Sequence, residues 1–266
     1  MPKDPGPQIW QADFLDRSPI FAPLRQAGER LRGPAWPTLE ALQPVAPLRT
    51  ASGQRLRFAP HGPKPTCFAA QYEPRIFLSG EVPTRTQNWH DFFNALAWLV
   101  FPQAKAAINA AHYHAALAQQ PGTNRHPDRH KLTLFDESGV AVACADPRLA
   151  ELLREHRWKE LFCEQRAAVQ RAMRFVVFGH SLYEKALDPY VGLTGHGLIV
   201  EVPEDFADAP QTEQVAALDN QLAARLGDPQ NLAFTPVPLL GVPGWWQDNE
   251  TPAFYEDTGY FRPKRA

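Results

Sequence analysis

Seven side chains in this sequence could do chemistry if the fold brings them together. His90, Asp91 and Asn94 fall within "NWHDFFNALAWLVFP", His180 and Glu184 within "GHSLYEK", and Asp136 and Glu137 within "DESG". A histidine and a carboxylate four residues apart share one helix face. They can bind a metal ion from that helix, or make a carboxylate-oriented general base. Mixed nitrogen and oxygen donors without thiolate suit zinc, manganese or iron(II). The expected metal ligands are therefore His90, Asp91, His180 and Glu184. Asp136 or Glu137 would act as general base or further ligand, and Asn94 would orient substrate or leaving group. An ion held this way yields hydroxide from water near neutral pH, so the reaction class this points to is metal-dependent hydrolysis.

Each group also has a quieter reading. Asp91 suits the exposed N–H groups and the dipole at a helix start. His90 and Asn94 can bond to backbone, and His180 with Glu184 can be a helix-surface pair worth a few tenths of a kcal/mol. "DESG" is also good turn chemistry. Sequence alone leaves both readings open.

The elements that must position these residues follow from local pattern. Asn88 is placed to cap a helix that ends near Phe101, and Pro102 suits the first turn of the next helix, running to about Ala118. In the first of these, Trp89, Phe92, Phe93, Leu96, Leu99 and Val100 form one apolar stripe, while Trp98 and Phe101 make the other side apolar too. Such a helix is buried, and its polar residues need partners. "KLTLFDESGVAVACAD" reads as two short strands around a hairpin, with Gly139 in the left-handed position. Asp146 and Pro147 open another helix, residues 163–187 read as one helix containing "RFVVFGHSLYEKAL", and "GLIVEV" reads as a strand. Residues 212–226 form an amphipathic helix with Val215, Leu218, Leu222 and Leu226 on one face. Residues 67–79 look extended. His112 and His114 read as surface, Tyr183 as core, and His126, Pro127 and His130 as a polar loop that could act as a lid.

Composition bounds the rest. A chain of 266 residues supports a full core, and ten of its 27 prolines fall in the first sixty positions. The expected class is α+β: a mainly helical single domain with a small antiparallel sheet or hairpin and extended proline-rich arms at both ends. Residues 1–60 would be an arm packed on a core of residues 61–266, whose aromatic tail is docked. The 27 basic and 29 acidic residues leave a net charge of −2, which gives no electrostatic case for nucleic acid. Basic runs at 125–131 and 166–174 read as solvated faces and loops. "MPKDPGPQIW" lacks the apolar stretch of a signal peptide, and no apolar run is long enough for a membrane span. Cys67, Cys144 and Cys163 are too scattered for a disulfide framework or a zinc-binding pair, so a cytoplasmic protein is expected. There is no HExxH, no G-x-S-x-G and no nucleotide-binding glycine loop.

The segments "NWHDFFNALAWLVFPQAKAAINAAHY", "LTLFDESG", "FGHSLYEKALDP", "LLGVPGW" and "FYEDTGYFRPKR" together resemble a family of uncharacterised proteobacterial proteins, catalogued as a domain of unknown function. The likeness runs from about residue 15 to the end and implies a single family unit. It implies no activity. Two classes of function follow from the residues: the metal-dependent hydrolase acting on a small molecule, and a non-enzymatic binding protein. The latter would present "PGWWQDN" and "FYEDTGYF", with Arg262, to a protein partner, because such residues dominate binding hot spots.

Overall fold

The computed structural model describes residues 8–118 and 127–264. Over residues 8–60 prolines break the chain into short helical turns, among them α1 (Arg25–Gly28) and α2 (Leu39–Leu42), the latter capped by Thr38. This segment wraps the core through aromatic burial. Trp10 stacks on Trp89 at 4.9 Å, and Phe21 stacks on Phe93 at 5.7 Å.

β1 (Arg57–Pro60) pairs in parallel with β2 (Glu81–Thr84), and α3 (Tyr72–Ser79) lies between them. Residues 67–79 are thus not extended. Pro74 falls in the first turn of α3, where a missing N–H costs nothing, and Ile76 supplies the buried contact. Gly80 ends the helix at φ 72°. A Cβ there would sit 2.1 Å from the Arg55 carbonyl oxygen, so only glycine fits.

α4 (Trp89–Val100) begins as expected, with Asn88 Oδ1 accepting from the Asp91 N–H at 3.0 Å. α5 (Pro102–Ala118) follows at Pro102. The expected hairpin around "DESG" is absent. Residues 127–138 are instead helix α6 (Pro127–Ser138), because Leu132 and Phe135, three apart, share a buried face. β3 (Gly139–Cys144) starts at the glycine expected to close the turn, and Gly139 has no left-handed φ.

α7 (Pro147–Arg154) is capped by Asp146. α8 (Arg166–Ala172) then gives way to β4 (Met173–Val177) before α9 (His180–Ala186). One helix over 163–187 was expected, but the β-branched and aromatic "RFVV" goes to strand because β3 offers it a partner. His180 and Glu184 therefore do not share a helical ridge with Met173 and Val176. β5 (Thr194–Glu201), α10 (Gln211–Leu226) and β6 (Thr235–Pro238) complete the core.

The main sheet has the order β4-β3-β5-β6. It is antiparallel at its two outer pairs and parallel at β3–β5, hence mixed rather than wholly antiparallel. Every residue of β3 is buried, and its side chains alternate between two cores. Val140, Val142 and Cys144 face the larger core, which includes the N-terminal segment, α4 and α9. Ala141 and Ala143 face the smaller one, covered by Val215, Leu218, Leu222 and Leu226 of α10. Tyr255, Tyr260 and Phe261 of the C-terminal tail are buried in the larger core, and the Tyr260 hydroxyl donates to the Leu193 carbonyl at 2.8 Å. The class is α+β with a helical majority, and both the segment from residue 8 and the tail to residue 264 are docked on it.

Candidate metal centre

The site exists because two glycines let two helix ends touch. The N–H groups of Phe178 and Gly179 both donate to the Gly139 carbonyl at 2.9 Å. A Cβ on Gly179 would lie 2.5 Å from the backbone nitrogens of Ser138 and Gly139. The start of α9 therefore rests flush on the end of α6. This puts His180, the first residue of α9, beside Asp136 and Glu137 in the last turn of α6. α4 packs on α9 and contributes His90 from its first turn.

In the result, the Nε2 atoms of His90 and His180 face each other at 3.1 Å. Glu137 completes a trio whose ligand atoms all lie within 4.8 Å of one another, with its Oε2 3.8 Å from His180 Nε2. The other nitrogen of His90 is hydrogen-bonded to a carboxylate, whereas that of His180 is buried with no hydrogen-bond partner among the described residues and has a carboxylate only nearby. His90 Nδ1 is 3.2 Å from Glu184 Oε2, and His180 Nδ1 is 3.8 Å from Asp136 Oδ2. Two ring nitrogens this close cannot both carry a hydrogen between them: either one donates to the other, or a cation takes both lone pairs. Two nitrogens bound to zinc at about 2.0–2.1 Å and a tetrahedral angle would stand roughly 3.3 Å apart. The donor set fits a divalent ion.

Electrostatics separates the two rings. Burial pushes His180 down to about 3, so the ring is neutral, the form that binds metal. His90 is raised, because the Glu184 hydrogen bond outweighs its burial. Burial pushes the Asp136 carboxyl up, but Lys105 and His180 more than offset it and hold the group below its ordinary value. Lys105 Nζ donates to Asp136 Oδ1 at 2.6 Å and to Asn94 Oδ1 at 2.8 Å. The Asn94 amide in turn donates to the Tyr72 hydroxyl at 2.7 Å.

Of the seven residues expected at the site, His90, His180, Glu137, Glu184 and Asp136 converge. Asp91 does not join the histidine cluster. Its carboxylate accepts from Arg85 at three points, the backbone N–H at 2.7 Å, Nε at 3.0 Å and Nη2 at 2.9 Å. Glu184 stands behind His90 rather than beside the facing nitrogens. Asn94 has both ends of its amide engaged within the protein, so it positions Lys105.

Four participants carry no signal in the sequence, Lys105, Tyr72, Glu73 and Asn109, and a fifth, His112, reads there as surface. His112 is buried, not on the surface, while His114 is exposed as expected. Glu73 Oε2 accepts from Asn109 at 2.6 Å, and burial raises its carboxyl to about 7. Glu73, His112, Asp91, His90, His180 and Glu137 all line one cavity of about 300 Å³. His130 lies on α6 rather than in a loop, and His126 lies outside the described residues.

Residues 56–265 match the family described as Protein of unknown function (DUF3025). The chain belongs to that family. Every residue of the site, from Tyr72 to Glu184, lies inside the span shared with it. No curated protein and no solved structure matches the chain. Among the described residues no helix is long and apolar enough to cross a membrane.

Proposed function

We propose that the protein is a metal-dependent hydrolase whose divalent ion is held by His90 Nε2, His180 Nε2 and the Glu137 carboxylate. The observation that carries this reading is the facing pair of Nε2 atoms with the Glu137 carboxylate beside them, the His90 ring being hydrogen-bonded from behind by Glu184. Metal-binding histidines characteristically give their second nitrogen to a carboxylate or carbonyl, which fixes ring and tautomer. Two histidines and one glutamate leave further coordination positions open for water and substrate. A bound divalent ion supplies Lewis acidity and water ionised near neutral pH.

The chain's own groups do the rest. Glu184 holds His90 through a hydrogen bond, while the Asp136 carboxylate lies 3.8 Å from His180 Nδ1, short of a hydrogen bond. Lys105 keeps Asp136 ionised, and Asn94 keeps Lys105 in place. Glu73, on the wall of the same cavity and titrating near neutrality, is the group suited to take up and return a proton. A cavity of about 300 Å³ restricts the substrate to a small molecule or the end of a larger one.

The test is elemental analysis of protein purified without a histidine tag, followed by calorimetric titration of the apo-protein with zinc, manganese and iron(II). Near-stoichiometric metal is expected. His180→Ala should remove tight binding from a folded protein, and Glu184→Gln should weaken it by about 10–100-fold. A metal-free protein that takes up none of the three ions overturns the metal. Absence of turnover by the loaded protein across carboxyl-ester and phosphoester chromogenic substrates overturns the hydrolase.

A binding role for the C-terminal aromatics is the second reading. What supports it is the partial exposure of Trp245 and Trp246, whereas Tyr255, Tyr260 and Phe261 are engaged in the core. A reducing bacterial cytoplasm suits three free, dispersed cysteines.

A further inference from the structure

A cavity of about 1250 Å³ shares no residue with the metal centre. It lies where β5 loses a neighbour. β3 pairs with β5 through residues 196–201, but β6 pairs only with residues 194–197. On that side, no described strand covers residues 198–201, and Leu198 and Ile199 line the groove. A sheet edge left this way offers backbone donors and acceptors to another extended chain. Here one of them, the Ile199 carbonyl, is met by the Arg225 guanidinium instead of a strand.

The walls are basic. Arg154, Arg225, Arg262 and Lys264 line the groove against the single acid Asp228, in a chain whose net charge is −2. Lys264 pairs with Glu155 and Arg154 with Glu151. Arg225 and Arg262 hydrogen-bond to backbone carbonyls, which leaves their charge for a ligand. His156, at φ 56°, and Trp158, stacked on it at 4.9 Å, also line the groove.

We infer that this groove docks an acidic peptide segment of a partner protein, added as an extended strand beside residues 198–201. Size favours a peptide over a small anion, since small-molecule pockets fall at about 300–1,000 Å³. The exposed strand edge supplies main-chain pairing, and the basic walls select acidic side chains. On docking, a peptide N–H replaces Arg225 at the Ile199 carbonyl, and the freed guanidinium meets a peptide carboxylate.

The experiment uses the full chain and fluorescein-labelled decapeptides that alternate glutamate with valine, isoleucine or tyrosine, each with a lysine-for-glutamate counterpart. Fluorescence anisotropy should show binding of the acidic set only, weakening as salt rises. Arg262→Glu and Arg225→Glu should each lower affinity at least tenfold. Arg154→Glu, exposed and off the strand, should lower it as well, and serves if Arg225→Glu fails to fold. Hydrogen exchange should slow at the Ile199 and Glu201 amides when peptide is bound. Equal binding of the lysine peptides, no binding of any acidic peptide, or binding with unchanged exchange at those amides overturns the proposal. Displacement of the peptide by an equimolar dT20 oligonucleotide also overturns it, because the groove would then be a general polyanion surface.

Discussion

Gly179→Ala is the most informative single change, because ordinary expectation and this fold disagree on its sign. Gly179 has φ −64° and ψ 115°, which any residue adopts. On conformational grounds alone, alanine there should stabilise by about 0.4–1 kcal/mol through the unfolded chain. The packing reverses this. The added Cβ would meet Ser138 N and Gly139 N at 2.5 Å and Glu137 C at 2.6 Å, all of them backbone atoms. No side chain can rotate away, so α9 and the end of α6 must separate by roughly half an ångström. Overpacking of this kind costs about 1–3 kcal/mol, and three rigid contacts put the value near the top of that range. For a chain of this size, about 3 kcal/mol lowers the melting temperature by roughly 6–12 °C.

His180 and Glu137 stand on the two sides being forced apart, so metal affinity should fall together with stability. Urea unfolding followed by circular dichroism, with calorimetric metal titration of the same sample, measures both. A midpoint equal to or above that of the wild type would refute the close contact and, with it, the account of how the site is assembled. Gly139→Val should also destabilise. The cause is a Cβ 2.4 Å from the Phe135 carbonyl oxygen, not the left-handed turn that the sequence suggested.

Three further outcomes are expected. Lys105→Met should cost about 3 kcal/mol, the lower end for breaking a buried pair because Asp136 keeps 21% exposure; adding Asp136→Asn should recover much of it, and a double-mutant coupling below about 0.5 kcal/mol would deny the pair. Glu73 has a folded value near 7, above its unfolded 4.5, so the wild type loses stability as pH rises through that window. The Glu73→Gln variant should therefore gain on the wild type between pH 4.5 and 7, by at most about 1.4 kcal/mol per pH unit, in urea titrations of the apo-protein; a pH-independent difference refutes the buried acid. The Asp219 carboxylate accepts from the Gln103 and Ala104 N–H groups at 3.0 and 2.8 Å, capping α5 from α10. Asp219→Ala should lose about 1–2 kcal/mol by urea unfolding, and Asp219→Asn less.

The helices with strong local signals were legible in the sequence. Asn88, Pro102, Asp146 and the Val215–Leu226 stripe act through residues a few positions apart, and each marks a boundary or a face as expected. The failures share a cause. "LTLF" and "RFVV" are equally short apolar runs with similar β-propensity, yet one is helix and the other strand. β3 has two sides to fill, and they go to "RFVV" and "GLIV", which leaves "LTLF" without a strand partner. That choice is made by distant chain, which local pattern does not carry.

The site divides along the same line. His90, Asp136, Glu137, His180 and Glu184 were visible because acids and histidines interrupt apolar segments. Lys105 in "PQAKAAIN" looks like any solvent-facing lysine, and only the approach of α6 and α4 makes it a buried cation. Once Lys105 is in view, the charges give an argument that the motif alone could not. Asp91 and Arg85 neutralise each other, and Glu73 titrates near 7. Among the described contacts to the two imidazoles, Asp136, Glu137 and Glu184 carry three formal negative charges, and Lys105 supplies one positive charge to Asp136. Protonating His90, as Glu184 favours, still leaves one negative charge in this set, part of it screened by water because Glu137 and Glu184 keep 39% and 33% side-chain exposure. A divalent ion between two neutral imidazoles brings the count to zero. It also takes up both ring lone pairs, in place of one ring nitrogen donating to the other at 3.1 Å. Charge and donor geometry are thus both compatible with the divalent ion proposed for this site.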